Sequence, residues 1–227
     1  GDVYKRQGMR VLEIGAATGR YSHALARKGY SVDAVELVEH NIEIFRRNTK
    51  KGENVTITQG NAVDLSEFKN DTYDITLLLG PMYHLFNQED KLKALSEAIR
   101  VTKKGGIIFA AYCMGDASVL SYGFIRGEIY NIIEKCMLDT ETFATFSNPW
   151  DIFELYRKED IDKLRNQFSV MQLHFIASDG YTNHMRETVD NMDDRMYELY
   201  LKYHLATCER QDLIGYSHHT LDIFRKE

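Results

Sequence analysis

Apolar residues first cluster in short runs and then recur at helical spacing, and the two patterns alternate through the first half of the chain. Residues 9–14 form an apolar run that ends in a glycine-rich turn, as a buried strand does. Residues 19–28 place Tyr21, Ala24 and Leu25 on an amphipathic pattern that Gly29 closes, which predicts a helix. Residues 31–35 predict a second strand. Residues 38–48 predict a helix with Ile42 and Phe45 on one face and Gly52 beyond its end, and 55–59 a third strand. The fourth strand, 73–79, is almost continuously apolar, as a strand covered on both faces is. Leu92, Leu95 and Ile99 mark a helix that the Lys-Lys-Gly-Gly run at 103–106 stops, and 107–113 predict a fifth strand. This alternation predicts a parallel sheet with right-handed crossovers.

Beyond the fifth strand the pattern changes. Residues 118–168 read as a helical stretch rich in aromatics, 169–176 as a sixth strand, 187–208 as a long helix and 216–225 as a final strand. The expected organisation is one domain over 8–227 with a helical cap at about 115–167. Tyr122, Phe124, Trp150, Phe153 and Tyr156 are expected to form the core of that cap, or else to line an acceptor pocket. Residues 1–7 have no apolar periodicity and resemble a translated sequencing-adapter fragment, so they are expected to be foreign to the fold.

Composition narrows the function classes. Apolar residues make up 44% of the 227, enough for a sizeable core. The formal charge of −6 gives no basic footprint for nucleic acid or an anionic membrane, so neither is expected as a partner. No apolar run is long enough for a membrane span and no signal peptide is visible, which makes a cytoplasmic protein the expectation. Cys113, Cys136 and Cys208 are far apart and odd in number, which fits a reducing compartment and argues against a zinc site or a disulfide framework. The histidines show no ligand spacing, so no metal site is expected. His218 and His219 would point to opposite faces of a strand, and both read as structural.

The candidate chemistry lies at the strand ends. A parallel sheet binds ligands at the carboxyl ends of its strands, where strand order reverses. The loop Gly15-Ala16-Ala17-Thr18-Gly19 follows the first strand, and glycines there let the backbone approach a ligand. Glu36 closes the second strand, followed by Leu37, and an acid there can accept both hydroxyls of a ribose. Glycine spacing argues against a dinucleotide site, whose Gly-x-Gly-x-x-Gly fingerprint suits a pyrophosphate. Here the spacing is Gly-x-x-x-Gly and Glu13 precedes it, which suits the ammonium of an amino-acid ligand and would repel a pyrophosphate. After the third strand, Asn61 or Asp64 offers an acceptor for an exocyclic amine beside Ala62, or forms an ordinary polar turn. After the fourth, Leu79-Gly80-Pro81 turns the chain and sets Tyr83 and His84 at the mouth of the site. His84 is a candidate general base with Tyr83 beside it. The alternative is that Tyr83 packs on the cofactor and His84 caps a helix.

Together these pieces resemble the class I SAM-dependent methyltransferases (SAM, S-adenosylmethionine). The run Leu-Leu-Leu-Gly-Pro-Met-Tyr-His-Leu at 77–85 is similar to a bacterial subgroup whose fourth strand ends in Leu-Gly-Pro-Leu-Tyr-His-Leu. The resemblance implies an α/β, Rossmann-like sheet of seven strands, mostly parallel, with an antiparallel last strand beside the sixth and a helical insertion between strands five and six. It implies SAM as cofactor, with Glu13, Gly15, Ala16 and Gly19 at its methionine part and Glu36 and Leu37 at its ribose. Asn61 and Ala62 would face the adenine, and Leu79 and Gly80 would border the methionine and the acceptor. Asn61 stands where the family more often has Asp. Relatives carry some tens of largely helical residues before the first strand, and these are expected to be missing here.

The expected reaction is in-line methyl transfer to an oxygen, nitrogen or sulfur of a small molecule. Methylases of nucleic-acid bases usually follow the fourth strand with Asp or Asn, two prolines and an aromatic, and Gly80-Pro81-Met82-Tyr83 offers no such acid or amide. The other readings are a nucleic-acid or protein methyltransferase, a nicotinamide-dependent oxidoreductase and a SAM-binding module without catalysis. The sequence assigns no oligomeric state.

Overall fold

A computed structural model describes residues 8–150 and 153–227, and the expectation for residues 1–7 lies outside the described residues. The first half runs β1 (Arg10–Ile14), α1 (Arg20–Arg27), β2 (Ser31–Glu36), α2 (Glu39–Asn48), β3 (Val55–Gln59), β4 (Tyr73–Leu78), a 3₁₀ turn (Pro81–Tyr83), α3 (Gln88–Val101) and β5 (Thr102–Met114). The second half runs α4 (Gly115–Ser118), a π-helical turn (Val119–Ile125), α5 (Ile129–Glu134), β6 (Leu155–Tyr156), α6 (Lys158–Arg165), β7 (Val170–Ala177), α7 (Arg186–Asp190), α8 (Asp194–Thr207) and β8 (His219–Lys226). Strand order is β3-β2-β1-β4-β5-β8-β7, with the two-residue β6 paired to the end of β5. The pairings among β1 to β5 are parallel and the C-terminal strands are antiparallel, so the sheet is the Rossmann-like one expected, plus one short strand.

The contacts divide the chain into two compact units. One holds the described residues through Ala110, with Leu164–Leu173 and Ile223–Glu227. Its sheet is buried for the reason its sequence gives, since Val11, Leu12, Ile14, Val32, Ala34, Val35 and Leu78 have almost no exposed surface. Leu25, Ala26 and Tyr30 pack on Val11, Val32 and Leu77, while Phe45 of α2 packs on Ala16 and Ala34. The other unit holds Ala111–Lys163 and His174–Asp222. Tyr112 and Tyr156 meet there edge to face at 5.0 Å, both buried.

Several expectations are corrected. The buried face of α1 is Ser22, His23 and Ala26, while Tyr21 and Ala24 are exposed, because the side chains of the polar pair bond Glu13 and Glu53. The run at 103–106 does not merely stop a helix. β5 already begins at Thr102, and Gly105 (φ 78°) and Gly106 carry a register shift against β4 between Tyr73 and Ile75. The stretch 118–168 is not one helical block: Gly127, Cys136 and Phe143 all take positive φ, and Asp139 caps a turn by accepting the N–H groups of Glu141 and Thr142. Asp151 and Ile152 of that stretch lie outside the described residues. Of the aromatics expected in its core, only Tyr156 is buried. Tyr122, Phe124 and Phe153 are exposed, and Trp150 is 94% exposed. The long helix at 187–208 is two helices, because Asp193 breaks it and caps the second by accepting the Met196 N–H at 2.8 Å.

Candidate functional site

β1 and β4 are neighbours, with Ile14 opposite Leu78, and strand order reverses between them. The loops leaving both strands therefore share one edge, the position where open α/β sheets take ligands. Gly15 leaves β1 at φ 77°, and its N–H and that of Ala16 both donate to the Val35 carbonyl, at 2.8 and 3.0 Å. Gly19, at φ 88°, precedes α1, and its carbonyl accepts the His23 N–H at 2.9 Å. Both glycines are also sterically required. A Cβ on Gly15 would sit 2.8 Å from Pro81 Cδ, and one on Gly19 would sit 2.6 Å from both His23 Nε2 and Phe45 Cδ2.

Two buried carboxylates flank this turn. Glu13 is 2% exposed and accepts the hydroxyl of Ser22. Burial pushes its carboxyl up to about 7, against the bonds from Ser22 and with help from the nearby charge of Glu36. Glu36 is 6% exposed, and its Oε2 accepts the Ala17 N–H at 2.8 Å. Its Oε1 accepts Val38 N–H at 3.0 Å and Asn41 Nδ2 at 3.2 Å. With about two lone pairs per oxygen, Oε2 keeps one acceptor place and Oε1 keeps none while Asn41 is bound. A bidentate grip on a diol at Glu36 therefore requires Asn41 to let go.

The remaining predicted residues lie beside these elements. Leu37 is exposed, and its carbonyl accepts Gln59 Nε2 at 3.1 Å, tying the end of β2 to that of β3. Asn61 is exposed with its Oδ1 on the Val63 N–H at 3.2 Å, and Ala62 behind it is buried. Asn61 and Asp64 both line a cavity of about 230 Å³ with Val35, Gln59, Gly60 and Phe68. Leu79 packs on the core, and its carbonyl accepts the Tyr83 hydroxyl at 2.7 Å. Gly80 sits 3.6 Å from the Gly15 carbonyl, measured from an added Cβ. His84 is exposed, its backbone N–H closes the 3₁₀ turn on the Pro81 carbonyl at 2.9 Å, and its ring lies 5.0 Å from that of Tyr83.

Residues 11–106, which span all of these positions, match the family described as a methyltransferase domain. Over that segment the chain is similar to methyltransferase domains, in line with the resemblance of its motifs to the class I SAM-dependent methyltransferases. A demethylmenaquinone methyltransferase of Clavibacter sepedonicus is 36% identical over 102 residues, 44% of this chain and 40% of that protein. One of Staphylococcus aureus is 32% identical over 111 residues, 47% and 44% of the two chains. The chain thus spans less than half the length of these relatives. In fold it is similar to a SAM-dependent methyltransferase of Methanosarcina mazei (TM-score 0.62, 16% identity, 99% of this chain and 96% of that one). It is similar also to a Synechocystis magnesium protoporphyrin IX methyltransferase bound to S-adenosylhomocysteine (TM-score 0.59, 11% identity, 99% and 77%).

The candidate site has room and polar groups that fit SAM on its own geometry. Two glycines hold open a turn that a Cβ would fill, and two buried carboxyl groups lie beside it, Glu13 suited to an ammonium and Glu36 to ribose hydroxyls, where a pyrophosphate would be repelled. Sequence reasoning missed Ser22, Asn41, Gln59 and the contact of Gly15 with Pro81. Only Ser22 had a signal, as a small polar residue on the helix face toward the sheet.

Proposed function

We propose that the protein transfers a methyl group from SAM to a small-molecule acceptor. The observation that carries this is the pairing of the Gly15–Gly19 turn with the Glu36 carboxylate through the Ala17 N–H. SAM supplies a methyl already activated on a sulfonium, so the protein's work is alignment and exclusion of water. Gly15, Ala16 and Gly19 admit the amino-acid part close to backbone, and Glu13 balances its ammonium. Glu36 and Leu37 hold the ribose, Asn61 and Ala62 bound the adenine, and Leu79 and Gly80 limit the reacting end. Tyr83, fixed by its bond to the Leu79 carbonyl, and His84 stand as the residues that meet the acceptor.

A small-molecule acceptor agrees with the relatives named demethylmenaquinone methyltransferase and with the charge of −6. Residues 8–227 are read as one catalytic domain, with the choice of acceptor residing in about 115–167, and as a cytoplasmic enzyme. Among the described residues no helix is long and apolar enough to cross a membrane. Calorimetry with SAM and with NADH tests the cofactor, and release of S-adenosylhomocysteine across a panel of oxygen, nitrogen and sulfur acceptors tests the reaction. Binding of NADH in place of SAM would overturn the reading.

A further inference from the structure

Charge is unevenly divided along the chain. The unit that holds Ala111–Lys163 and His174–Asp222 carries 19 Asp and Glu against 9 Lys and Arg, a formal charge of −10, while the whole chain carries −6. The same unit holds a cavity of about 150 Å³, room for one organic group about the size of benzene. Its lining includes buried Ala177 and exposed Tyr203, so it reaches from the core to solvent.

The lining is aromatic and uncharged. Tyr181, Tyr200, Tyr203 and His204 supply its rings and Met185 and Leu213 an apolar wall, and among the described residues no Lys, Arg, Asp or Glu lines it. Several of its polar groups are engaged elsewhere. The Tyr200 hydroxyl lies 2.7 Å from that of Thr182, which is outside the lining, so Tyr200 offers the cavity its ring. The Thr207 hydroxyl donates to the Tyr203 carbonyl at 2.8 Å, and the Cys208 thiol to the Leu205 carbonyl at 3.5 Å. Tyr181 is held in place by stacking on Tyr216 at 5.4 Å and 22°.

These features select a ligand class. An anion would find no Lys or Arg to pair with. A bare ammonium or a hydrated metal ion would give up hydrogen bonds that no carboxylate of the lining replaces. A cation wrapped in methyl groups needs no such bonds and is attracted to the faces of aromatic rings. Tyr203, His204, Thr207 and Cys208 also bring the last turn of α8 to the cavity, and a helix C-terminus carries a partial negative charge that favours cations. The acidic excess of the unit acts in the same direction.

We propose that this cavity binds an N-methylated ammonium group, held against Tyr181, Tyr200 and Tyr203 at the C-terminal end of α8. None of its lining residues is assigned to SAM, so the site is independent of the methyltransferase reading.

The probe is tetramethylammonium, with tert-butanol as a neutral group of similar shape and sodium as a bare cation, all at constant ionic strength. The methyl resonance of tetramethylammonium should move upfield to saturation, as ring currents over aromatic faces require. Its affinity should exceed that of tert-butanol by about tenfold or more, and sodium should not displace it. Tyr200→Phe keeps the ring and should bind as the unaltered protein does, while Tyr200→Leu and Tyr203→Leu should each lose roughly threefold or more. Equal affinity for the two methylated probes, or no saturation, overturns the site, and both are read on the unaltered protein without any variant having to fold. Tyr200→Phe binding as poorly as Tyr200→Leu would mean that the hydroxyl makes the contact, which overturns it as well. SAM is titrated into the same samples, and stoichiometric displacement of tetramethylammonium by SAM would make the cavity part of the SAM site and end the proposal.

Discussion

Oε2 of Glu36 accepts the backbone N–H of Ala17 at 2.8 Å, so the acid that ends β2 also holds the tip of the turn that follows β1. Ala17 sits at φ 47°, a left-handed conformation that non-glycine residues adopt at a cost. The bond to a buried carboxylate offsets that cost, and it couples the shape of the glycine turn to the residue assigned to the ribose.

Glu36→Ala is expected to weaken SAM binding by roughly 1.5–3 kcal/mol, the range for hydrogen bonds to a charged group. It should also lower the melting temperature of the ligand-free protein, because Ala17, Val38 and Asn41 all lose their acceptor. Asn41→Ala should leave SAM affinity unchanged or improve it, since Asn41 occupies the last acceptor place on Oε1. Calorimetry on the two variants decides the matter. Unchanged affinity in Glu36→Ala would move the ribose elsewhere.

Gly15→Ala is expected to cost at least tenfold in SAM affinity. Its Cβ would meet Pro81 Cδ at 2.8 Å, and φ 77° is strained for alanine by roughly 1–2 kcal/mol. The two causes separate in a second variant. Pro81→Ala removes the atoms in the way, so the double variant should recover part of the loss and keep only the backbone strain. If the double variant binds no better than Gly15→Ala alone, the contact with Pro81 is not the reason this position is glycine.

Asp33 is the stability counterpart of the site, three residues before Glu36 on β2. Its carboxylate accepts Arg10 at 2.6 Å, Thr56 at 2.7 Å and the hydroxyl of Tyr73 at 2.8 Å. Burial works against its ionisation, but those bonds hold its pKa below the ordinary value, and Tyr73 is correspondingly raised by burial and by Asp33. Asp33→Ala leaves the Tyr73 hydroxyl, on a residue 1% exposed, without its acceptor, at about 1–3 kcal/mol. Urea unfolding should show a smaller loss when the same substitution is made on Tyr73→Phe. Equal losses in the two backgrounds would show that the pair is not coupled.

How far the sequence was legible follows from what each pattern depends on. β3 was read at its observed bounds from the alternation of half-buried Val55 and Ile57 with exposed Thr56, and Ile42 and Phe45 were read on the buried face of α2 because apolar burial decides there. α1 was misread for the opposite reason: its buried face carries Ser22 and His23, which serve Glu13 and Glu53 across space, and no local periodicity contains those partners. The glycine turn and Glu36 were visible as motifs. The bond from Ala17 and the competing Asn41 were not, since both depend on where β2 lies beside β1. In 118–168 local turn chemistry at Gly127 and Asp139 prevailed over a helical composition.

Glu13 carries a pH dependence whose sign can be worked out. Burial comes first among the causes that raise its carboxyl from 4.5 to about 7. The folded protein therefore holds this proton more tightly than the unfolded chain. The stability it contributes is complete below 4.5, is lost as pH rises to about 7, and does not return above that. At about 1.4 kcal/mol per pKa unit the loss is at most roughly 3.5 kcal/mol. Glu13→Gln keeps an acceptor for Ser22 and has no charge to bury, so it should melt above the unaltered protein at pH 8 and show no such gain at pH 4. A cation placed beside Glu13 favours the carboxylate, so SAM binding near pH 6.5 should release protons, visible as a dependence of the calorimetric enthalpy on the ionisation enthalpy of the buffer. Proton release that persists in Glu13→Gln would assign it to another group and remove Glu13 from the ammonium site.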